Sequence, residues 1–376
     1  MAGAPEGRSS AYSSAGVDYD TLDAGKRNAL TAALSTSGLL AARGARAIDE
    51  SRGEPAFVFE AGGRTLGFVL ETLGTKSIIA RQLEDRVGAT GFENCAYDTV
   101  AAVVNDLCCV GALPLVVNAY FATGSSDWYR DPGRQAALLE GWRRACVDAG
   151  AAWGGGESPS LAGLVATDEI ELAGSAVGMV PEGSGPVLGE DLGPGDEIVL
   201  VASSGLHANG ASLARMVAAE LPEGYDARLP SGRSFGEAVL DASVIYVSLV
   251  EALLAARVGV RYLSHITGHG FLKLMRPRRE LGYRIQILPE VPEVLAFLVE
   301  QAGLSPAAAY STFNMGAGFA VYCAPGSGAE VVRHASELGL RACVAGDVER
   351  GPRRVVLEPI DVIYESGELD LAPRGA

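Results

Sequence analysis

Apolar residues come in segments parted by glycine-rich and polar stretches, and the segments predict alternating strands and helices. Residues 28–48, "NALTAALSTSGLLAARGARAI", join good helix formers to apolar positions near a 3.6-residue period and predict a helix. "AFVFEAG" and "TLGFVLET" are rich in strand formers, and Gly62-Gly63-Arg64 between them predicts a hairpin closed by a glycine turn. "YDTVAAVVNDLCCVGA" is apolar on nearly every face and stops at Gly111, the pattern of a buried helix. "PLVVNAYFATG" then predicts a buried strand, "RQAALLEGWRRACVDAG" a helix, and "IELAGSAVGMV" another strand.

"PEGSGPVLGEDLGPGDE" is dense in glycine, proline and acid, the composition of a connector. It divides the chain into a flexible arm (1–20), an N-terminal domain (21–181), a linker (182–195) and a C-terminal domain (196–376). The second domain repeats the theme, from the strand "IVLVASSG" and the helix after "LHANG" to a last helix and strand near "RACVAGDVE". The expected fold is α+β or α/β in two domains, and 376 residues are long for a single core.

A formal net charge of −16 opposes binding to a nucleic-acid backbone or an anionic membrane, so a small-molecule substrate is expected. An anionic substrate then needs a local group of lysines, arginines and backbone N–H groups. The six cysteines sit mostly among apolar neighbours with no CxxC pair, which reads as buried thiols in a reducing compartment. With no apolar leader at the N-terminus and no run of 18 apolar residues, neither secretion nor membrane spanning is expected, and the location is read as cytoplasmic.

Several stretches carry candidate chemistry. In "LETLGTK" a lysine past a glycine turn can reach a terminal phosphate, although this is not the glycine-rich phosphate loop and, taken alone, a surface lysine is the commoner reading. Asp98, Asn105 and Asp106 lie about two turns apart on an apolar helix and can share a side, as oxygen ligands for Mg²⁺ or as a capping aspartate and a polar pair. "GGGES" offers an acid after a turn. "SSGLHANGASL" is expected to expose His207 at the carboxyl end of a strand, where open sheets bind ligands. "SHITGHGF" reads as a glycine-rich anion cradle in preference to a zinc fragment, and "FNMGAGF" puts a glycine pair before a strand.

In this order the motifs resemble the aminoimidazole ribonucleotide synthetase family, also called phosphoribosylformylglycinamidine cyclo-ligase. The matching blocks, from "YSSAGVDYD" through "GTK", "VNDL", "GGE", "SSGLHANGASL" and "HITGHGF" to "TFNMGAG", span residues 12–320. The resemblance implies a homodimer whose N-terminal domains share a β-barrel, with ATP near the dimer junction. It implies ATP-dependent closure of formylglycinamidine ribonucleotide to aminoimidazole ribonucleotide in purine biosynthesis, by phosphorylation of the amide oxygen and attack of a ring nitrogen.

Residue by residue, the resemblance implies that Gly74, Thr75, Lys76 and Asn105 grip ATP, with Asp18 and Asp20 on an arm that folds over it. Asp98, Asp106, Glu71 and Glu157 would hold Mg²⁺. His207, Asn209, Thr267, Gly268, His269, Gly270 and Asn314 would face the ribonucleotide. Lys76, Asp98 and His207 would be catalytic, His207 by positioning or proton transfer near the reacting amide.

The chain departs from the family at ligand-facing motifs. Glu71 stands where "TDGVGTK" carries aspartate, Ser160 where "TAEMPG" carries glutamate, and His269 inside the usual "TGGGF"; Arg276, Arg278 and Arg279 on a following helix could compensate. Two alternatives therefore stay open: a divergent enzyme that phosphorylates a different small molecule, and an inactive nucleotide-binding scaffold. Retention of Lys76, Asp98, Asp106 and His207 speaks against the scaffold.

Overall fold

In a computed structural model, residues 19–369 are described. Asp18 lies outside them, as does the side chain of Asp20. Two sheets organise the chain. The first has the order β1-β2-β3-β6-β4-β5, with β1 Ala45–Ile48, β2 Phe57–Ala61, β3 Arg64–Thr72, β4 Leu113–Thr123, β5 Ala152–Glu157 and β6 Ile170–Met179. Only β4 and β5 run parallel in it. The second has the order β13-β12-β9-β11-β7-β10-β8, with β7 Glu197–Ala202, β8 Val260–His265, β9 Leu281–Ile285, β10 Ala317–Cys323, β11 Ala342–Arg350, β12 Arg354–Leu357 and β13 Val362–Glu365. Mainly antiparallel pairing makes both halves α+β, despite the strand–helix alternation in the sequence. No regular element lies between β6 and β7, the stretch read as a linker.

The principal helices are α1 Tyr19–Leu34, α2 Lys76–Gln82, α3 Thr90–Cys108, α4 Pro132–Asp148, α5 Ala211–Glu220, α6 Val247–Ala256, α7 Glu293–Gln301 and α8 Gly328–Glu337. The predicted hairpin forms: Gly62 and Gly63 take φ of 58° and 74°, the left-handed geometry a two-residue hairpin turn requires, and Ala61 pairs with Arg64. The predicted 28–48 helix does not form as one element. Helix α1 ends at Leu34, a tight 3₁₀ segment follows over Ser37–Arg43, and β1 begins at Ala45. The Ser35 and Thr36 hydroxyls turn back onto the Ala32 and Ala33 carbonyls at 2.7 Å each, competing with the helical ladder.

Helix α3 is the axle of the molecule. Its apolar sides pack on α4 and on β3, β4 and β6, and it also touches α6 and β8 of the second half. A helix enclosed this completely cannot send polar side chains to water, so Asp98, Asn105 and Asp106, all buried, must find partners in protein or ligand. Five of the six cysteines are buried, Cys343 is half-buried, and all are free thiols. Among the described residues no helix is long and apolar enough to cross a membrane.

Candidate functional site

A cavity of about 500 Å³ opens between the two halves. Its acidic wall comes from Glu54, from Glu71 near the end of β3 and from Asp106 on α3. The opposite wall holds His265 at the end of β8, the Thr267-Gly268-His269 turn, and Lys273 and Arg276 of the segment that follows. Lys26 and Leu30 of α1 close one side, and Asn209 reaches in from the loop before α5.

Asp106 Oδ1 lies 2.7 Å from His265 Nδ1. Burial holds His265 below its ordinary value, so the ring is neutral at pH 7 and its Nδ1–H is the donor. Although burial works against it, that hydrogen bond keeps the Asp106 carboxyl below the usual range, with Lys273 and Arg276 adding to the effect. Glu71 is the opposite case: burial first, then the adjacent Asp106 charge, push its carboxyl up to about 7. The two acids are neighbours that titrate together, and Glu71 is the one that takes a proton as the pH falls through neutrality.

Burial lowers the Lys273 ammonium. Its hydrogen bond goes to the Thr267 hydroxyl. Arg276 Nε donates to Gly53 O at 3.0 Å and stands 3.8 Å from Glu54, whose carboxylate also accepts from Tyr262 at 2.6 Å.

Other residues singled out in the sequence stand away from this cavity. Lys76 does not project toward solvent. It is 0% exposed at the start of α2, paired with the equally buried Asp98, and its ammonium also donates to the His207 and Asp241 carbonyls at 3.1 Å each. The second Asp98 oxygen accepts from Ser243 N at 2.6 Å. Asn105 donates to Val244 O and accepts from Tyr246 N, both at 2.8 Å. Lys76, Asp98 and Asn105 thus use their polar atoms to clamp residues 241–246 of the second half. The reason is burial: sealed from water, each takes the nearest backbone partner. The neighbouring Thr75 hydroxyl meets Ser212 at 3.0 Å, and Gly74 turns the chain into α2 outside the cavity lining.

His207 is buried and not exposed, with φ of 62°. Its Nε2 accepts from Ser204 N at 3.2 Å, while Nδ1 is buried without a partner among the described residues. Burial, aided by His265 and Lys76, lowers its pKa to about 3, so the ring is neutral. Asn314 holds Ser203, Gly205 and Gly316 together, and Gly270 packs against the Tyr310 and Phe313 carbonyls; neither lines the cavity. Glu157 is exposed on the edge strand β5, its carboxylate accepting from Ser158 N at 3.0 Å. Arg278 and Arg279 bind carbonyls of residues 52 and 189–192 in place of a ligand. The segment they follow is a short 3₁₀ turn, Gly270–Met275.

Thus Glu71, Asp106, Asn209, Thr267, Gly268 and His269 come together, while Lys76, Asp98, Asn105, Gly74, Thr75, His207, Gly270, Asn314 and Glu157 do not join them. Sequence reasoning missed Lys26, Glu54 and Lys273. For Lys273 a signal existed, a lone charge within the apolar run "GFLKLM".

Paired carboxyls facing buried cations suit a phosphorylated ligand with a hard divalent cation. Residues 53–180 match the family model for the N-terminal domain of AIR synthase related proteins, and residues 193–358 the model for their C-terminal domain. A phosphoribosylformylglycinamidine cyclo-ligase of Methanothermobacter thermautotrophicus is 33% identical over 349 residues, 92% of this chain and 96% of that one. One from Anaeromyxobacter is 37% identical over 291 residues, 75% and 81% of the two chains. Among solved structures, a HypE–HypF complex aligns with a TM-score of 0.58 at 17% identity, covering 85% of this chain and 93% of the other. AaThiL complexed with AMPPCP and TMP aligns at 0.56 and 16%, covering 83% and 90%. These structural likenesses show a shared fold.

Proposed function

Because the chain belongs to the AIR synthase related family, we propose that it is an ATP-dependent phosphoribosylformylglycinamidine cyclo-ligase of purine biosynthesis. The observation that carries this reading is the cavity itself, where the Glu71–Asp106 pair faces Lys273 and Arg276.

The substrate's formamide oxygen takes the terminal phosphoryl group of ATP, and ADP departs. A substrate nitrogen then attacks the activated carbon, a proton is lost, and phosphate leaves as the imidazole closes. Phosphoryl transfer of this kind asks the protein mainly for positioning and charge neutralisation. Glu71 and Asp106 suit Mg²⁺, which takes one or two carboxylates and completes its shell with phosphates and water. Among the described residues no group of three His, Cys, Asp or Glu is placed to hold a metal ion. The ion's chemistry is charge neutralisation on the phosphates. Deprotonating Glu71 readies the pair for it, and His265 holds Asp106 in its ionised form. Asn209 and the 267–269 turn face the ribonucleotide.

The same reading makes the protein a cytoplasmic homodimer. The open face of the first sheet carries Phe57, Phe59, Phe68, Leu70, Val116 and Val177, with Phe68, Leu70 and Val116 each at least 39% exposed. An apolar sheet face of this kind needs a cover, and a second copy closing a shared barrel would supply one.

One observation favours the altered-substrate reading as runner-up. His269 lines the cavity at φ of 71°, a strained conformation for a side chain, where the resemblance carries glycine. Incubation with Mg-ATP and formylglycinamidine ribonucleotide separates the readings. Stoichiometric ADP and aminoimidazole ribonucleotide support the cyclo-ligase. ADP without that product points to another acceptor, and ATP binding without turnover to a scaffold.

A further inference from the structure

We infer that Lys273 and Arg276, with the Thr267 hydroxyl, form a subsite for a phosphate group. This rests on the reading of the cavity as a site for phosphorylated substrates. It adds Lys273, which neither the motifs nor the family matches single out, and joins it to Thr267 and Arg276.

Lys273 sits in a 3₁₀ segment, Gly270–Met275, in which every residue is buried, and it is 8% exposed. Among the described residues its ammonium bonds only the neutral Thr267 hydroxyl and enters no ion pair. The acids that face it are already engaged: Asp106 with His265, and Glu54 with Tyr262 beside Arg276. A buried ammonium with no anion in direct contact is costly, and a chain selected for stability alone would carry methionine or leucine there. Such a cost at a cavity wall is the mark of a group kept for a ligand.

The donors also converge. Lys273 retains two N–H protons, Thr267 retains its hydroxyl proton, and the two terminal nitrogens of Arg276 make no hydrogen bond among the described residues. All three side chains line the same space, next to Gly268, whose missing side chain leaves the backbone approachable. A point charge, a hydroxyl and a planar fork around one volume suit a tetrahedral dianion. Two groups share that chemistry here, the 5′-phosphate of a ribonucleotide and the terminal phosphate of a nucleoside triphosphate.

The test replaces the charge while keeping the volume, Lys273→Met, and titrates the full-length protein with ribose 5-phosphate and with Mg-ATP by calorimetry. The ligand whose phosphate occupies the subsite should lose about ten-fold or more in affinity, the worth of a charge-assisted contact, and its identity names the source. The ligand-free variant should melt at or above the wild-type temperature, because an unpaired buried charge has gone. A Lys273→Arg variant, which keeps the charge, should recover part of the lost affinity. Affinities for both ligands within two-fold of wild type overturn the subsite, as does failure of the wild-type protein to bind either. A lower melting temperature with no recovery in Lys273→Arg also overturns it and makes Lys273 a counter-ion of Asp106. None of these readouts needs turnover. Absence of aminoimidazole ribonucleotide in the wild-type assay would sink the cyclo-ligase reading and leave these titrations standing.

Discussion

Lys76 and Asp98 lie 22 residues apart in sequence and close an ion pair with no exposed surface on either side chain. The pair sits beneath residues 241–246, and both partners also hold backbone atoms of the second half. Removing one partner strands the other, which typically costs about 3–5 kcal/mol. Lys76→Ala should therefore lower the urea midpoint sharply, and Asp98→Ala should do the same. A Lys76→Ala variant with wild-type stability and no activity would instead restore the phosphate grip expected from "GTK".

His207 sets a pH dependence. Its pKa of about 3 in the folded state lies below its ordinary 6.5, so between these values the unfolded chain binds the additional proton. Stability is complete above pH 6.5 and falls as acid is added down to about 3, by up to roughly 5 kcal/mol from this group. His207→Asn, which tolerates the left-handed backbone, should flatten the stability profile over that interval. An unchanged slope in denaturant titrations from pH 7 to 4 would refute the assignment.

Two glycines should respond differently to alanine. At Gly270 a Cβ would meet the Tyr310 carbonyl oxygen at 2.1 Å and that of Phe313 at 2.7 Å, on a backbone with φ of +49°. At Gly74, with φ of +74°, nothing lies within 4 Å of the added atom. Gly74→Ala should cost only the left-handed strain, about 1–2 kcal/mol. Gly270→Ala should cost more, because backbone has to move, and should expose the 310–313 segment to proteolysis.

Phe68 gives the simplest test of self-association. It is 43% exposed at the middle of the open face. Phe68→Glu should turn a homodimer into a monomer in sedimentation equilibrium without disturbing the fold, since the side chain faces away from the core. A wild-type protein that sediments as a monomer would remove the dimer from the proposed function.

Much of the fold was legible because apolar periodicity is a local signal. The hairpin at Gly62-Gly63, the α3 helix and the strands on either side of the linker follow from it. The site was legible only where a residue's role depends on its own segment. Thr267, Gly268 and Asp106 reach the cavity, as their motifs suggested. The places of Lys76, Asp98 and Asn105 were not legible because their partners, residues 241–246, lie more than 130 positions away and carry no motif. The spacing of Asp98 and Asn105 showed that they share a helix side and could not show that a loop of the other half already covers it. The signal at Lys273 stops short for a related reason, since a charge in an apolar run reveals burial and not what it faces.

Leu70 belongs to two surfaces. It stands on the open apolar face beside Phe68, and it also lines the cavity next to Glu71 on the same strand. A second subunit and a bound substrate would therefore compete for, or jointly fix, the position of one strand end. Thermodynamic reciprocity then applies: whatever factor the substrate contributes to dimerisation, dimerisation contributes to substrate affinity. Apparent affinity measured on dilute protein should drift with protein concentration, and the drift would report the coupling directly.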